Sequence, residues 1–262
     1  MPNGVILTID TTDPCGGSGI NAAIKAAAAL GGYAQAAVTG VTVQTPEQTL
    51  GIFPVSPAVV SDQIRAAFTS FPVSAILIGL LPTRDIVEAV ADALENLNPR
   101  PPIVLDPVIS SRDGKRFLEK DAIDAMKRRL FLLADLLLPN VQEAEALSGL
   151  TITDEASLEH AAEMLVTLGP RNVFIKGDSL NTEQIFEIYT DDRRTQVFNR
   201  ERITSKRTHG AGATLAAAVT TLIALGNTPR DSVTRARFYV EEAIKNAPDF
   251  GTDCGPLNHF VK

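Results

Sequence analysis

The chain has 262 residues, 45% hydrophobic and 21% charged, enough for one large buried core and tight for two. Its net charge of −7 argues against nucleic acid or an anionic membrane as partner, so a phosphorylated ligand would have to meet a few locally gathered donors. Two cysteines, Cys15 and Cys254, make no disulfide framework; no apolar run reaches membrane-spanning length, and no basic flank precedes Gly4–Ile9, so the chain reads as cytoplasmic.

In chain order, Val5 to Ile9 predicts a buried strand and Ile20 to Leu30 a helix of small residues lying close on a sheet. Ala75 to Gly79 is a second strand, followed by a helix from about Thr83 to Leu97. Pro102 to Asp106 is a third, followed by a helix from about Lys120 to Leu133. Leu136 to Leu138 and Val173 to Lys176 give further strands, with helices at Val141 to Leu147 and Leu158 to Leu168. Residues 34–55 and 184–203 are strand-rich with no helix between, which predicts antiparallel pairing. Two last helices, Ala211 to Leu225 and Arg230 to Asn246, are separated by the stop-and-restart signal Gly226-Asn227-Thr228-Pro229. Alternating strands and helices imply a mostly parallel sheet with helices on both faces, in one domain over residues 1–262.

Four segments carry chemistry. Asp13-Pro14-Cys15-Gly16-Gly17-Ser18-Gly19 follows the first strand and opens a helix; it lets backbone approach a ligand, or simply makes a tight turn. Thr208-His209-Gly210-Ala211-Gly212-Ala213-Thr214 runs into another small-residue helix. Its unpaired amides, at the positive end of the helix dipole, suit an anion, or its glycines serve packing alone. Pro139-Asn140-Val141-Gln142-Glu143 sits where a strand meets a helix: a capping box, or an amide and carboxylate that order Mg²⁺ through water. Lys176 ends a buried strand, on the edge where such sheets bind ligands, or it is a surface lysine. Cys15 reads as a small buried loop residue, His209 as a loop residue, His160 as lying on a surface helix, and His259 as following a Gly-Pro turn; no His/Cys metal cluster is legible.

Taken together with Gln44, Ile78-Gly79, Leu105-Asp106-Pro107-Val108, Lys176-Gly177 and Gly255-Pro256, these segments resemble the hydroxymethylpyrimidine/phosphomethylpyrimidine kinase family of the ribokinase-like superfamily over nearly the whole chain. The resemblance implies a three-layer α/β ribokinase-like fold, a homodimer, ATP with Mg²⁺, and a small-molecule acceptor: 4-amino-5-hydroxymethyl-2-methylpyrimidine or its monophosphate, on the way to thiamine. By the same analogy Gln44, with Asp10 and Thr11 beside it, would line the pyrimidine pocket, and Lys176 would meet the substrate phosphate. Asp106 and Glu143 would hold the metal, and Asn140 and Thr208 would help bind the nucleotide. Gly210, Ala211, Gly212 and Ala213 would form the anion hole.

The departures from that family lie at the expected site. Ala213 stands where the family has a catalytic cysteine, Ala23 where it has an aspartate, and Asp10-Thr11 where it has Ala-Gly. Two alternatives therefore stand beside the pyrimidine kinase: a pyridoxal kinase on the same scaffold, and a non-catalytic ligand-binding homologue.

Overall fold

A computed structural model describes residues 4–111, 114–178, 180, 184–191, 193–249 and 254–261. In chain order the elements are β1 (Val5–Thr11), α1 (Gly19–Ala29), β2 (Tyr33–Gln44), β3 (Thr49–Pro54), α2 (Pro57–Ser70), β4 (Ala75–Ile78) and α3 (Arg84–Glu95). They continue with β5 (Ile103–Leu105), α4 (Lys120–Arg129), β6 (Leu136–Leu137), α5 (Val141–Ser148), α6 (Glu155–Thr167), β7 (Val173–Ile175), β8 (Gln184–Thr190), β9 (Thr195–Glu201), α7 (Ala211–Ala224) and α8 (Pro229–Lys245).

The strands form one sheet of nine in the order β3-β2-β1-β4-β5-β6-β7-β8-β9. From β2 to β7 every neighbouring pair is parallel. The two edges, β3 on β2 and the β7-β8-β9 meander, are antiparallel, as the helix-free stretches required. Each central strand is apolar on both faces because each face is covered. Leu7, Ile9, Ile76, Ile78, Ile103 and Leu105 point into a core closed by α2 to α6. Their alternates Ile6, Leu77 and Val104 point into a second core closed by α1, α7 and α8.

The small residues of α1 and α7 serve this second core. From Thr214 to Ile223 every residue of α7 is buried, and only alanine, valine, threonine and similar volumes let it lie flat under the sheet. The predicted helix from Lys120 to Leu133 is shorter than expected: α4 ends at Arg129, and a 3₁₀ turn over Phe131–Leu133 carries the chain on. Helix α2 was not anticipated. Its signals were a serine followed by Pro57 at the first helical position and a thin buried stripe of Val60, Ile64 and Ala67.

Because the strands are parallel, β1, β4, β5, β6 and β7 end on the same edge. Asp10, Gly79, Asp106, Asn140 and Lys176 lie at or just beyond those ends. The N-terminus of α7 opens on this edge too, and both carry the site.

Candidate active site

Asp13 organises the first glycine loop. Its Oδ1 accepts from the Cys15 amide (2.8 Å), and its Oδ2 accepts from the amides of Gly17 (2.9 Å) and Ser18 (2.8 Å) and the Ser18 hydroxyl (3.0 Å). His209 Nε2 lies 2.8 Å from the same Oδ2. Burial works against the Asp13 charge, but His209 and the loop amides win and hold the carboxyl well below the usual range. The loop is thus more than a tight turn, and His209 more than a loop residue: together they lash the first loop to the start of α7. Gly210, the N-cap of α7, has φ +82° and sits so close on the Gly17 carbonyl that a Cβ would collide with it.

Asp13, Cys15 and His209 do come together, with potential ligand atoms within 4.8 Å of one another. With both Asp13 oxygens already accepting, the cluster is a hydrogen-bond hub. Cys15 is half-buried and donates to the Gln44 carbonyl (3.4 Å); burial pushes its thiol up to about 11, so it is no nucleophile. His259 is itself a buried link: its ring lies 3.0 Å from Thr214 Oγ1, and its carbonyl accepts from Tyr239 Oη (2.6 Å). His160 is exposed, as expected. Ala23 is fully buried in the second core and lines neither cleft.

The floor of the site is a buried charge cluster. Lys176 Nζ donates to Asp106 Oδ1 at 2.7 Å, and Glu143 lies beside them; the three residues are 8%, 5% and 3% exposed. Lys176 is therefore no surface lysine. Burial opposes its charge, but Asp106 and Glu143 hold its pKa above the usual lysine range. Glu143 is pushed up to about 7 by burial, with Lys176 opposing and Asp106 adding to the rise. The capping box is also real: Asn140 Oδ1 accepts from the Glu143 amide and Glu143 Oε2 from the Asn140 amide, both at 2.8 Å. That cap uses one lone pair of the Asn140 oxygen and leaves Nδ2, a donor suited to phosphate, outside the box. Asp106 keeps one oxygen outside these bonds, and Glu143 also accepts from the Ile109 backbone; two carboxylates side by side are a donor set that fits a hard cation retaining several waters.

Two clefts meet above this floor. The smaller, about 250 Å³, is lined by Asp10, Thr11, Gln44, Asp106, Glu143 and Ala213 among others. The larger, about 720 Å³, is lined by Thr208, Ala211 and, from β9 and the loop after it, Arg200, Arg202 and Lys206. Ser110, Ser111, Asn140, Lys176, Gly210 and Gly212 line both. The first turn of α7 thus presents Ala213 to one cleft, Ala211 to the other, and its glycines to the junction. A Cβ on Gly212 would sit 3.7 Å from Lys176 Nζ, so the bare backbone there and the ammonium face the same space.

Sequence reasoning missed the two serines and the basic group on β9. The serines lie in a loop with no fingerprint, and the arginines only read as polar strand residues. In a chain of net charge −7, these cations stand on the cleft wall beside Asp178, Glu187 and Glu241; Arg200 faces Glu187 at 3.6 Å, and Arg202 donates to the Asp178 and Leu180 carbonyls.

In the smaller cleft, Gln44 ends β2, with Nε2 3.4 Å from Ser18 Oγ. Asp10 is 6% exposed; its Oδ1 accepts from the amides of Thr11 (2.7 Å) and Leu80 (2.9 Å). Burial pushes its carboxyl up to about 7 against those two bonds, with Asp106 adding to the rise.

Kinases of the ribokinase-like fold share this layout. The structure matches the ADP complex of Bacillus subtilis pyridoxal kinase with a TM-score of 0.89, at 28% identity over 98% of this chain and 97% of that one. It matches phosphomethylpyrimidine kinase of Clostridium difficile with a TM-score of 0.81, at 29% identity over 92% and 99%. The chain is a kinase of this class. Its family is narrower: residues 13–258 match the family model of phosphomethylpyrimidine kinase, and the chain belongs to that family. It is 35% identical to the hydroxymethylpyrimidine/phosphomethylpyrimidine kinase of Haemophilus influenzae, over 98% of this chain and 96% of that protein. It is 38% identical to the thiamine biosynthesis bifunctional protein ThiED of Geobacter sulfurreducens, over 100% of this chain but only 53% of that protein.

Proposed function

We propose that the protein transfers the γ-phosphoryl group of ATP to hydroxymethylpyrimidine monophosphate and, more slowly, to the free pyrimidine alcohol. The observation that carries this reading is the junction: the amides of Gly210, Gly212 and Ala213, which make no hydrogen bond among the described residues (Ala211 N–H donates to the Thr208 carbonyl), stand at the positive end of a buried helix and share one space with Lys176, between the larger cleft and a smaller polar one. In phosphoryl transfer, charge on the moving group spreads over its outer oxygens, and fixed donors aimed at that charge carry most of the catalysis.

On this reading the larger cleft takes the nucleotide, with Arg200, Arg202, Lys206 and Thr208 along its polyphosphate, and Asn140 Nδ2 donates to a phosphate oxygen. Asp106 and Glu143 would hold Mg²⁺, whose role is to neutralise phosphate charge. Lys176 bonds the phosphate of the acceptor, and Gln44 its ring edge. Ala213 supplies no base, which costs the alcohol more than the monophosphate: a phosphate monoester has its second pKa near 6 and is already an anionic nucleophile at neutral pH.

The family's resemblance also points to a cytoplasmic homodimer. No described helix is long and apolar enough to cross a membrane, and Val41 and Phe53, paired across β2 and β3, leave apolar side chains exposed for a second copy to cover. Sedimentation that finds only single chains would remove the dimer from the reading. The catalytic reading is tested by incubating the protein with ATP, Mg²⁺ and the pyrimidine monophosphate and examining the products by mass spectrometry. Formation of the pyrimidine pyrophosphate supports it, and nucleotide hydrolysis without that product would sink it.

A further inference from the structure

Asp10 is a buried carboxylate on the wall of the smaller cleft to which the transfer step assigns no role. It is 6% exposed and is the penultimate residue of β1, which lies third in the sheet between β2 and β4. The surroundings are shaped to hold it. Oδ1 is fixed by the amides of Thr11 and Leu80, from β1 and the end of β4. Gly79 leaves the room that the carboxylate fills: a Cβ there would collide with the Asp10 oxygens. Oδ2, by contrast, accepts no hydrogen bond among the described residues, and it is not sealed away from the cleft that Asp10 lines. A nine-tenths buried carboxylate with one oxygen locked and the other open to a small-molecule cleft is a fixed acceptor with no donor yet.

Resting on the kinase reading above, we propose that Asp10 is a specificity-determining residue that accepts a hydrogen bond from an amino group next to the hydroxymethyl arm of the acceptor ring. The chemistry separates the two substrate classes that share this scaffold. Beside its hydroxymethyl arm the aminopyrimidine carries an exocyclic amine, a donor. At the equivalent position pyridoxal carries an aldehyde, which can only accept. An ionised carboxylate also only accepts, so it matches the first and leaves the second with two acceptors facing each other in a dry pocket. A site built to bond a group rejects an analogue lacking it far more strongly than an apolar pocket does. Gln44, across the same cleft, can rotate its amide to present either a donor or an acceptor, so it cannot make this distinction.

The test is calorimetric binding at pH 8, without ATP, of three ligands: the aminopyrimidine alcohol, pyridoxal, and pyridoxamine, which keeps the pyridine ring but replaces the aldehyde by an aminomethyl group. The proteins are wild type, Asp10→Asn, which keeps the shape but puts a donor in place of Oδ2, and Asp10→Ala, which restores the family's residue. Wild type is expected to bind both amines ~10–100-fold more tightly than pyridoxal, as a hydrogen bond to a charged acceptor warrants. Asp10→Asn should lose that preference, and Asp10→Ala should lose most of it, with thermal melting showing that both variants are folded. An unchanged amine preference in both variants, or wild type binding pyridoxal as tightly as the amines or binding none of the three, would overturn the inference. Asp10-dependent selection without phosphoryl transfer would count against the kinase reading alone. Transfer to the pyrimidine with no dependence of binding on Asp10 would count against this inference alone.

Discussion

Lys176 is the residue at which structure and chemistry are hardest to separate. Its ammonium neutralises Asp106 and Glu143, two carboxylates that are almost fully buried, and the same ammonium faces the α7 amides. Removing one partner from a buried ion cluster strands the others, typically at about 3–5 kcal/mol, lowered here by the ability of Glu143 to take up a proton. Lys176→Ala should therefore lower both the urea midpoint and turnover of the monophosphate, the latter by at least ~10-fold. A folded variant with unchanged kinetics would take Lys176 out of the site. The sequence placed this lysine at the strand end but could not bury it. Burial depends on Asp106, which lies seventy residues earlier and two strands away.

At the scale of elements, α7 is both a core helix and the anion site, and its two glycines divide those tasks. Gly210 is structural: its left-handed φ and its contact with the Gly17 carbonyl leave no room for a side chain. At Gly212 a Cβ meets only the Lys176 ammonium, at ordinary contact distance, so a larger side chain there fills ligand space and leaves the fold alone. Gly212→Val should stay folded and lose at least ~10²-fold in ATP-dependent turnover, the scale of removing one oxyanion donor. Gly210→Ala should lower the melting temperature. Equal stability of Gly210→Ala and wild type, or full activity of Gly212→Val, would break this division.

The same helix is tied to the C-terminal segment by the contact between Thr214 and His259. Burial, with Lys25 adding, pushes the His259 ring down to about 4. Its folded pKa lies below its unfolded value, so its contribution is present above about pH 6.5 and is lost as pH falls toward 4. Between pH 7 and pH 5 that loss is about 2 kcal/mol. Urea unfolding of wild type and His259→Gln at the two pH values should show their stability difference shrinking by about that amount. A difference independent of pH would mean that folding leaves the His259 pKa unshifted.

At the scale of the whole molecule, the alternation of strands and helices was legible because a parallel sheet covered on both faces leaves continuous apolar runs such as Val5–Ile9 and Ala75–Ile78. Helix α2 escaped because only three of its fourteen residues are buried, too thin a stripe to stand out. Residues named on the resemblance from separate segments, among them Asp10, Gln44, Asn140, Lys176 and Gly212, line the two clefts. The sequence could not show that Asp13 and His209, far apart in the chain, lash two of those segments together, or that β9 and the loop after it bring Arg200, Arg202 and Lys206 to the wall of the larger cleft. Both depend on contacts between distant parts of the chain: the loop after β1 meets the start of α7, and β9 reaches the larger cleft through the antiparallel β7-β8-β9 meander.

The central claim is that this site drives phosphoryl transfer by fixed donors at Gly210 to Ala213 and Lys176, with no base at position 213. Steady-state rates of ADP release with the pyrimidine alcohol and with its monophosphate, for wild type and Ala213→Cys, test it most directly. A positioned base is worth about 10²–10⁴-fold to an alcohol and little to an acceptor that is already ionised. Wild type should therefore turn over the monophosphate at least ~100-fold faster than the alcohol, and Ala213→Cys should raise the alcohol rate while leaving the monophosphate rate within about threefold. Equal wild-type rates on both acceptors, or no ATP-dependent turnover of either, would contradict the account.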